Sequence, residues 1–413
     1  MPRREDAPVT STTITRQQQP PVRAHNRSLL LQSLYRDGSM SRADLARRSG
    51  LTRPTVSALV AELIDDGIAR ELGVRDDARV GKPATLVGIE SDAFHIVTVD
   101  LSSAERFVGA VVDLRGGVVE RAGVELDGAV GEAAVSLVER LVDDLASRTT
   151  RRLLGVGVAT PGIVDHDGVV RTAVHLGWYD LPLRSRLSAR TGLPVHVGND
   201  SNAAAMGIRT FGEEVGNDET GRGATGPGAT GPGATGPAAA GQSGGGRSPA
   251  GQSLIVVTID HGVGVGLIVA GALVEGDQFS AGEIGHVTVD ENGDVCACGR
   301  RGCLEEAIAA PQLRARLRQH DEGSRGAVLH EAGRALGLVL APIVSALNID
   351  EVVLSGPADL VEGAMLRAAR ETVRQRTLSA VSNGLTMRIA GSGTDLALRG
   401  AASFVLQAEL GLT

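Results

Sequence analysis

Aromatic residues are scarce in this sequence: five Phe, two Tyr and one Trp among 413 residues. A protein that binds single-stranded nucleic acid needs rows of rings on which bases can stack, so this scarcity argues against that class. Lysine is rarer still. Lys82 is the only one, and every other side-chain amine or guanidinium cation is arginine, a bias of the kind that a GC-rich genome imposes. No apolar run reaches the roughly 18 residues of a membrane span; the nearest, Leu254 to Val274, is broken by Asp260, His261 and several glycines. The first 21 residues are polar and rich in Pro, Gln and Thr, without the apolar stretch of a signal peptide. The three cysteines all fall between Cys296 and Cys303. An odd, clustered set makes no disulfide framework and reads as metal ligation in a reducing compartment. These absences predict a soluble cytoplasmic protein with no membrane partner.

The sequence does hold apolar residues for sizeable cores: 42% of the chain, drawn mainly from Ala, Val, Leu and Ile. Its length suggests two or three domains. The net charge of −8 is unevenly spread. Residues 1–90 carry 14 Lys/Arg against 11 Asp/Glu, whereas the remainder carries 27 against 38. Within the first part, Arg23 to Arg53 sets seven arginines against Asp37 and Asp44. A small basic block on a large acidic body predicts a polyanion-binding module joined to something else.

Along the chain, residues 1–22 read as a disordered arm and residues 23–90 as short helices followed by a hairpin. From 91 to 413, β-branched apolar runs alternate with Ala/Leu-rich helical stretches, the mark of an α/β domain. Strands are expected at His95–Asp100, Val108–Asp113, Leu154–Ala159, Val195–Val197, Leu254–Ile259, Gly266–Val269 and Val352–Leu354. One stretch breaks the rhythm. Residues 216–251 are nearly all Gly, Ala, Thr, Pro and Ser, with Gly-Ala-Thr-Gly-Pro three times in tandem from Gly223 to Pro237. A segment with so little to bury cannot offset its ordering entropy, and a disordered surface insertion is expected.

In the basic block, Leu29, Leu30, Leu31 and Leu34 define a first helix. Ser41, with Asp44 three residues on, makes a capping box for a second through Arg48. Gly50 turns the chain, Thr52 caps a third helix, and Pro54 sits in its first turn, where a missing N–H costs nothing. Val56, Leu59, Val60, Leu63 and Ile64 then recur as one buried stripe. The opposite face opens with Arg53, Thr55 and Ser57, side chains that reach phosphates and base edges from a helix in the major groove. Two apolar runs, Ile68–Val74 and Ala84–Ile89, flank a tip carrying Arg79, Gly81 and Lys82, cations for a phosphate backbone or the minor groove. The order predicts a winged helix-turn-helix whose partner is a double-stranded DNA operator.

His286, Cys296, Cys298 and Cys303 offer one imidazole and three thiolates, the ligand set of a closed structural zinc site. With no open coordination position, such a metal orients loops and does not activate water. One zinc per chain is expected.

These residues resemble the ROK family, which groups bacterial sugar repressors with sugar kinases. The resemblance rests on Ala281-Gly282-Glu283-Ile284-Gly285-His286, Cys296-Ala297-Cys298-Gly299 and Gly302-Cys303-Leu304-Glu305. Further matches are the Gly155–Gly162 turn, Gly198-Asn199-Asp200-Ser201-Asn202-Ala203-Ala204, and Gly81-Lys82-Pro83 at the wing tip. The N-terminal module resembles that of the family's repressor branch, of the xylose-repressor or N-acetylglucosamine-repressor type. The resemblance implies a winged helix-turn-helix followed by a two-lobed sugar-kinase/actin-like (ribonuclease H-like) domain. It further implies that Asn199, Asp200, Glu283, His286 and Glu305 line a sugar pocket between the lobes. In the family's kinases the residue matching Asp200 is the general base, and His286 is expected to bind zinc through one ring nitrogen and sugar through the other.

The kinases of the family open with an Asp-x-Gly-Gly-Thr-Lys-like phosphate loop; the matching stretch here is Asp100-Leu101-Ser102-Ser103-Ala104-Glu105. Both close-approach glycines, the hydroxyl and the cation are gone. A second phosphate turn, Gly-Thr-Gly in kinases, is here Asp260-His261-Gly262-Val263-Gly264. Phosphoryl transfer depends on positioning and neutralising those phosphates. The reading is therefore a non-enzymatic transcriptional regulator, a repressor of carbohydrate-utilisation genes whose C-terminal domain senses a sugar. It is expected to be cytoplasmic, nucleoid-associated, and a homodimer or homotetramer. The alternative is an ATP-dependent sugar kinase with an accessory DNA-binding domain.

Overall fold

Helix boundaries near the N-terminus follow the caps that the sequence supplies. In the computed structural model, which describes residues 19–74, 84–212, 253–391 and 395–412, helix α1 spans Gln19–Asp37. It begins inside the segment 1–22 read as an arm, because Pro20 and Pro21 fall in its first turn, where no intrahelical N–H is needed. Strand β1 (Met40–Ser41) leads into α2 (Arg42–Ser49). The Ser41 hydroxyl accepts the Asp44 N–H at 3.1 Å and donates to Asp44 Oδ2 at 2.7 Å, a closed capping box. Gly50 ends the helix at φ 70°, a left-handed conformation that glycine adopts without steric cost.

Thr52 then caps α3 (Arg53–Asp65), accepting the Thr55 N–H at 3.4 Å. Val56, Leu59, Val60 and Leu63 of α3 are buried with Leu30, Leu31 and Leu34 of α1, whereas Ile64 is half-buried. Strands β2 (Ala69–Val74) and β3 (Thr85–Ile89) pair antiparallel, and β1 lies on the other edge of β3. The tip with Arg79, Gly81 and Lys82 lies outside the described residues, as do residues 1–18 and the insertion at 216–251. This compact unit, residues 1–93, also takes in residues 406–413. There, Ser28 Oγ donates to the Leu410 carbonyl at 3.2 Å, Gln32 Nε2 donates to the Gly411 carbonyl at 2.9 Å, and Leu412 is buried.

The second compact unit, residues 94–405, contains one topology twice. In the first lobe, β4 (Phe94–Asp100), β5 (Arg106–Asp113) and β6 (Val118–Glu125) form an antiparallel meander. After α4 (Glu132–Ser147), β7 (Arg152–Thr160) pairs parallel to β4. A small sheet follows, made of β8 (Ile163–Val164), β9 (Val170–Ala173) and β10 (Trp178–Leu181). Then α5 (Leu183–Thr191) leads to β11 (Val195–Asn199), parallel to β7, and on to α6 (Asp200–Phe211). The sheet order is β11-β7-β4-β5-β6.

The second lobe repeats it. Strands β12 (Leu254–Ile259), β13 (Val263–Val269) and β14 (Ala272–Leu273) form the meander. Helices α7 (Leu304–Ile308), α8 (Ala310–Arg318) and α9 (Glu322–Leu347) precede β15 (Glu351–Ser355), parallel to β12. Helices α10 (Ala358–Val361), α11 (Ala364–Arg376) and α12 (Ser379–Ser382) come before β16 (Thr386–Ile389), and α13 (Leu396–Leu410) closes the fold. The order is β14-β13-β12-β15-β16.

Central strands covered on both faces become continuous apolar runs, as in Ile96, Val97 and Val99 of β4 and Ile255–Val257 of β12, all buried. Each lobe therefore has its own core, one around Val97, Val138, Leu141 and Val156, the other around Val257, Leu336, Leu340 and Leu354. Helix α6 leaves the first sheet and packs Ala204, Ala205 and Ile208 against Leu254, Val256 and Ile268 of the second. The approach is close enough that a Cβ on Gly264 would collide with the Ser201 hydroxyl, which bonds to Thr258 Oγ1 at 2.6 Å. All seven strands expected from sequence are present, several longer than expected. Strands β1, β6, β8, β9, β10, β14 and β16 were not expected: β6 is a largely exposed edge, and the others are two to four residues long.

Candidate functional site: an acidic cleft between two lobes

Ligands of open α/β folds sit beyond the carboxyl ends of the strands. Here those ends deliver Asp100 from β4, Asn199 from β11, Asp260 just past β12 and Ser355 from β15. All four line a single cleft of about 1560 Å³. Asp200, Glu283, His286 and Glu305 line it too, so the structure brings together all five residues implied by the sugar-pocket resemblance.

Their roles differ in detail. Asn199 is the N-cap of α6: its Oδ1 accepts from the Ser201 and Asn202 N–H groups at 2.9 and 3.0 Å, and its Nδ2 donates to the Gly162 carbonyl at 2.9 Å. One amide hydrogen remains for a ligand. Asp200 Oδ1 accepts from the Ser201 N–H at 2.7 Å. Burial, with Asp100 and Glu283 nearby, nevertheless raises its carboxyl to about 7. Glu283 is raised by burial and opposed by His286, whose Nε2 lies 3.8 Å from Glu283 Oε2. Glu305 Oε2 accepts the Val263 N–H at 3.1 Å, tying the β12–β13 turn to α7.

The other ring nitrogen of His286, Nδ1, lies 3.6 Å from Cys296 Sγ, and Cys298 Sγ lies 3.6 Å from Cys303 Sγ. The four ligand atoms of His286, Cys296, Cys298 and Cys303 all fall within 4.8 Å of one another. A tetrahedral zinc ion with bonds of about 2.0–2.3 Å would separate its ligand atoms by about 3.5–3.8 Å, so the residues fit the ion. Burial pushes Cys296 up to about 12 and raises Cys303, and a bound dication offsets that resistance to ionisation. The hairpin holding them closes through Gly302 at φ 64°, where a Cβ would collide with the Asp290 carbonyl.

Away from the cysteines, the cleft is lined by carboxylates. Asp100 is raised by burial, against a bond from the Ser102 N–H at 2.9 Å, and further by Asp260 and Asp395. Asp395 is gripped by both terminal nitrogens of Arg121. Eight carboxylate residues line the cleft, against Arg300 as the only arginine among the described residues. His175, lowered by burial and by nearby His261, also faces it. His175, Gln312 and Asp395 escaped sequence reasoning. Each is a single polar residue in an otherwise ordinary segment, and no spacing marks it.

On the first unit, Arg53 and Ser57 lie exposed on α3. Thr55 is half-buried, its hydroxyl 2.9 Å from that of Thr52. Other arginines of the unit are paired: Arg42 with Glu71, Arg47 with Asp44, Arg48 with Asp37 and Arg70 with Glu90. The wing residues Arg79 and Lys82 fall outside the described residues.

Residues 97–220 and 238–408 match the ROK family, and residues 24–70 match a winged helix-turn-helix DNA-binding family. The chain is 25% identical over 404 residues to the xylose repressor of Bacillus subtilis, covering 93% of this chain and 96% of that one. It is 29% identical over 290 residues to a glucokinase of Halalkalibacterium halodurans, covering 62% and 77%. The crystal structure of a ROK family transcriptional regulator, a homologue of the Escherichia coli MLC protein, superposes with a TM-score of 0.75 at 19% identity, covering 95% and 98%.

Proposed function

This chain belongs to the ROK family, and from that premise we propose that it is a DNA-binding transcriptional repressor of carbohydrate-utilisation genes that senses a sugar in the cleft. One observation carries the reading: a winged helix precedes a cleft lined by Asn199, Asp200, Glu283, His286 and Glu305, in which the turns that match the kinases' phosphate loops keep neither the glycine pair nor the cation of the first. Asp200, Glu283, Glu305, His286 and the free hydrogen of Asn199 supply acceptors and donors for several sugar hydroxyls at once. At the other end, Ser102-Ser103-Ala104-Glu105 and Asp260-His261-Gly262 offer no cation to a triphosphate. The relatives bearing repressor names match nearly the whole chain, winged helix included, which supports the same reading.

Zinc held by His286, Cys296, Cys298 and Cys303 would fix the loop that carries Glu283 and orient the His286 Nε2 toward the sugar. The chemistry that it supplies is structural. Arg53, Thr55 and Ser57 on α3, with Arg79 and Lys82 at the wing, form the DNA face. Winged helices of this kind read half-sites as a dimer. Helix α13 begins beside the cleft, at Leu396 to Leu398, and its last turn belongs to the DNA-binding unit, so a ligand that shifts α13 has a covalent route to that unit. Sugar changes DNA affinity only through its unequal affinity for the two states, and DNA changes sugar affinity by the same factor. Release of DNA by sugar is the expected sign.

The test is an operator-binding titration of the full chain with and without a sugar identified by thermal-shift screening, repeated with Arg53→Ala. Sugar-dependent loss of binding supports the reading, and Arg53→Ala should weaken binding by roughly 10-fold and flatten its salt dependence. A second reading, the sugar kinase, is favoured by Asp200, whose pKa of about 7 suits a general base at neutral pH. ATP-dependent phosphorylation of any hexose at metabolic rates would establish it and displace the first.

A further inference from the structure

We propose that His175, which enters the cleft from the first lobe beside Glu305 of the second, is a further sugar contact and selects the ligand by a hydroxyl that it shares with Glu305. The inference rests on the sugar-sensing reading above and adds a residue which that reading does not use. Placement is the first observation. His175 stands in a single 3-10 turn, Val174–Leu176, between β9 and β10, and lines the cleft. His261, in the β12–β13 turn, lines it from the second lobe. That turn lies against Glu305: the Val263 N–H donates to Glu305 Oε2 at 3.1 Å, and a Cβ on Gly262 would stand 2.9 Å from the same oxygen. His175 is near enough to feel the charge of both His261 and Glu305.

The second observation is a fixed backbone under an unengaged ring. Ala173 and Leu176 are buried, the Leu176 carbonyl accepts the Gly131 N–H at 2.8 Å, and Gly177 closes the turn at φ 64°. The His175 ring, by contrast, is open to solvent and makes no hydrogen bond to any described residue. Crowding by the cleft walls and, next, the His261 ring hold its imidazole below the ordinary range, against the pull of Glu305. At neutral pH the ring is therefore uncharged, with one nitrogen to donate and one to accept.

The third observation is a shortage of donors. Each sugar hydroxyl donates one hydrogen bond and accepts others. Asp200, Glu283 and Glu305 serve as acceptors, whereas the donors are the remaining amide hydrogen of Asn199, His286 Nε2 and the exposed Arg300. His261 does not relieve the shortage, because its Nδ1 faces Asp260 Oδ1 at 3.4 Å. The uncharged ring of His175 does. A hydroxyl that donates to Glu305 and accepts from His175 ties both lobes to one ligand, and a sugar lacking that hydroxyl leaves both groups unmet.

The experiment is calorimetric titration of the full chain and of His175→Ala with glucose, xylose, galactose and mannose, then with the monodeoxy derivatives of the sugar that binds most tightly. Removal of one particular hydroxyl should weaken binding to the unaltered chain by roughly 10-fold, and His175→Ala should weaken binding of the intact sugar by a similar factor. In His175→Ala, removal of that same hydroxyl should cost only about 3-fold or less, because one of its partners is already gone. His175→Asn, which keeps a donor and an acceptor, should recover part of the affinity, whereas His175→Phe, which fills the space without them, should not. Ligand-free melting should be the same in all variants, since the ring has no partner to lose. Deoxy sugars that lose equal factors in the unaltered chain and in His175→Ala, or full affinity in His175→Phe, overturn the contact and leave the sensor reading intact. Binding of none of the four sugars overturns both.

Discussion

Near the cysteines, three carboxylates of the cleft, Asp200, Glu305 and Glu283, each face a partner. The Ser201 N–H serves Asp200, the Val263 N–H serves Glu305, and His286 faces Glu283. At the far end, Asp100 and Asp260 stand at or just past the ends of equivalent first strands, β4 and β12, and lean on one another electrostatically. The fold delivers both ends by the same device, a turn after a central strand. What separates them is the neighbourhood: a helix N-terminus and the Cys296–Cys303 loop on one side, two acid-bearing turns on the other. Identical topology therefore sets where functional groups stand, and local sequence sets what they can bind.

Removing the metal should widen the contrast most. Cys303→Ser, which alters a buried ligand, should abolish zinc in elemental analysis and destabilise the second unit by about 3–5 kcal/mol, with loss of the sugar-induced thermal shift. Metal-free protein with unchanged melting and sugar response would break the comparison, because the end near the cysteines would then need no support.

Next in size is Asp200→Asn, which should weaken sugar binding by roughly 10- to 100-fold by replacing a charged acceptor with a neutral one. It also has a pH signature. The Asp200 carboxyl sits at about 7 in the folded chain and near its ordinary value of 3.8 when unfolded. Between those values the folded chain holds a proton that the unfolded chain gives up. Stability from this group is therefore greatest in acid and falls as pH rises from about 4 to 7, by at most about 4 kcal/mol. Asp100, also raised, acts in the same direction. Denaturant melts of ligand-free protein should show this decline and a shallower one in Asp200→Asn; equal slopes would place the titration elsewhere.

Smaller effects should follow from Glu305→Ala, which leaves the half-buried Val263 N–H without its acceptor and should cost about 1–2 kcal/mol by chemical denaturation. Arg121→Ala should be mildest. Its pair with Asp395 is largely exposed on the arginine side, and such pairs contribute about 0–1 kcal/mol, less at high salt. A loss above 2 kcal/mol would mean that Arg121 holds the far end together.

The same contrast explains what the sequence discloses. The residues near the cysteines lie in runs whose types and spacing are informative in themselves, such as His286 with its three cysteines, or Asn199-Asp200 at a strand-to-helix junction. The capping box at Ser41 and the buried stripe from Val56 to Leu63 were equally legible, because local hydrogen bonds and helical periodicity decide them. Asp100 and Asp260 were legible too, in the two turns that match the kinases' phosphate loops, whereas Gln312 and Asp395 are single residues that only the fold brings to the cleft. Edge strand β6 was invisible for a related reason: its residues are mostly exposed, so no burial pattern shapes them. The start of α1 at Gln19 was masked by two prolines that read as breakers but sit where a helix tolerates them.

The attachment of residues 406–412 to the first unit has a consequence for how the protein is made. Residues 19–93 leave the ribosome first, but the segment whose Leu410 and Gly411 carbonyls receive Ser28 and Gln32 follows more than three hundred residues later. At about 5–20 residues per second the wait is roughly 15–60 s. Throughout it the first unit lacks one of its own pieces, while both lobes of the second are synthesised. A chain whose translation stops short of residue 406 therefore carries an incomplete first unit, and that unit is completed only after the two lobes have emerged.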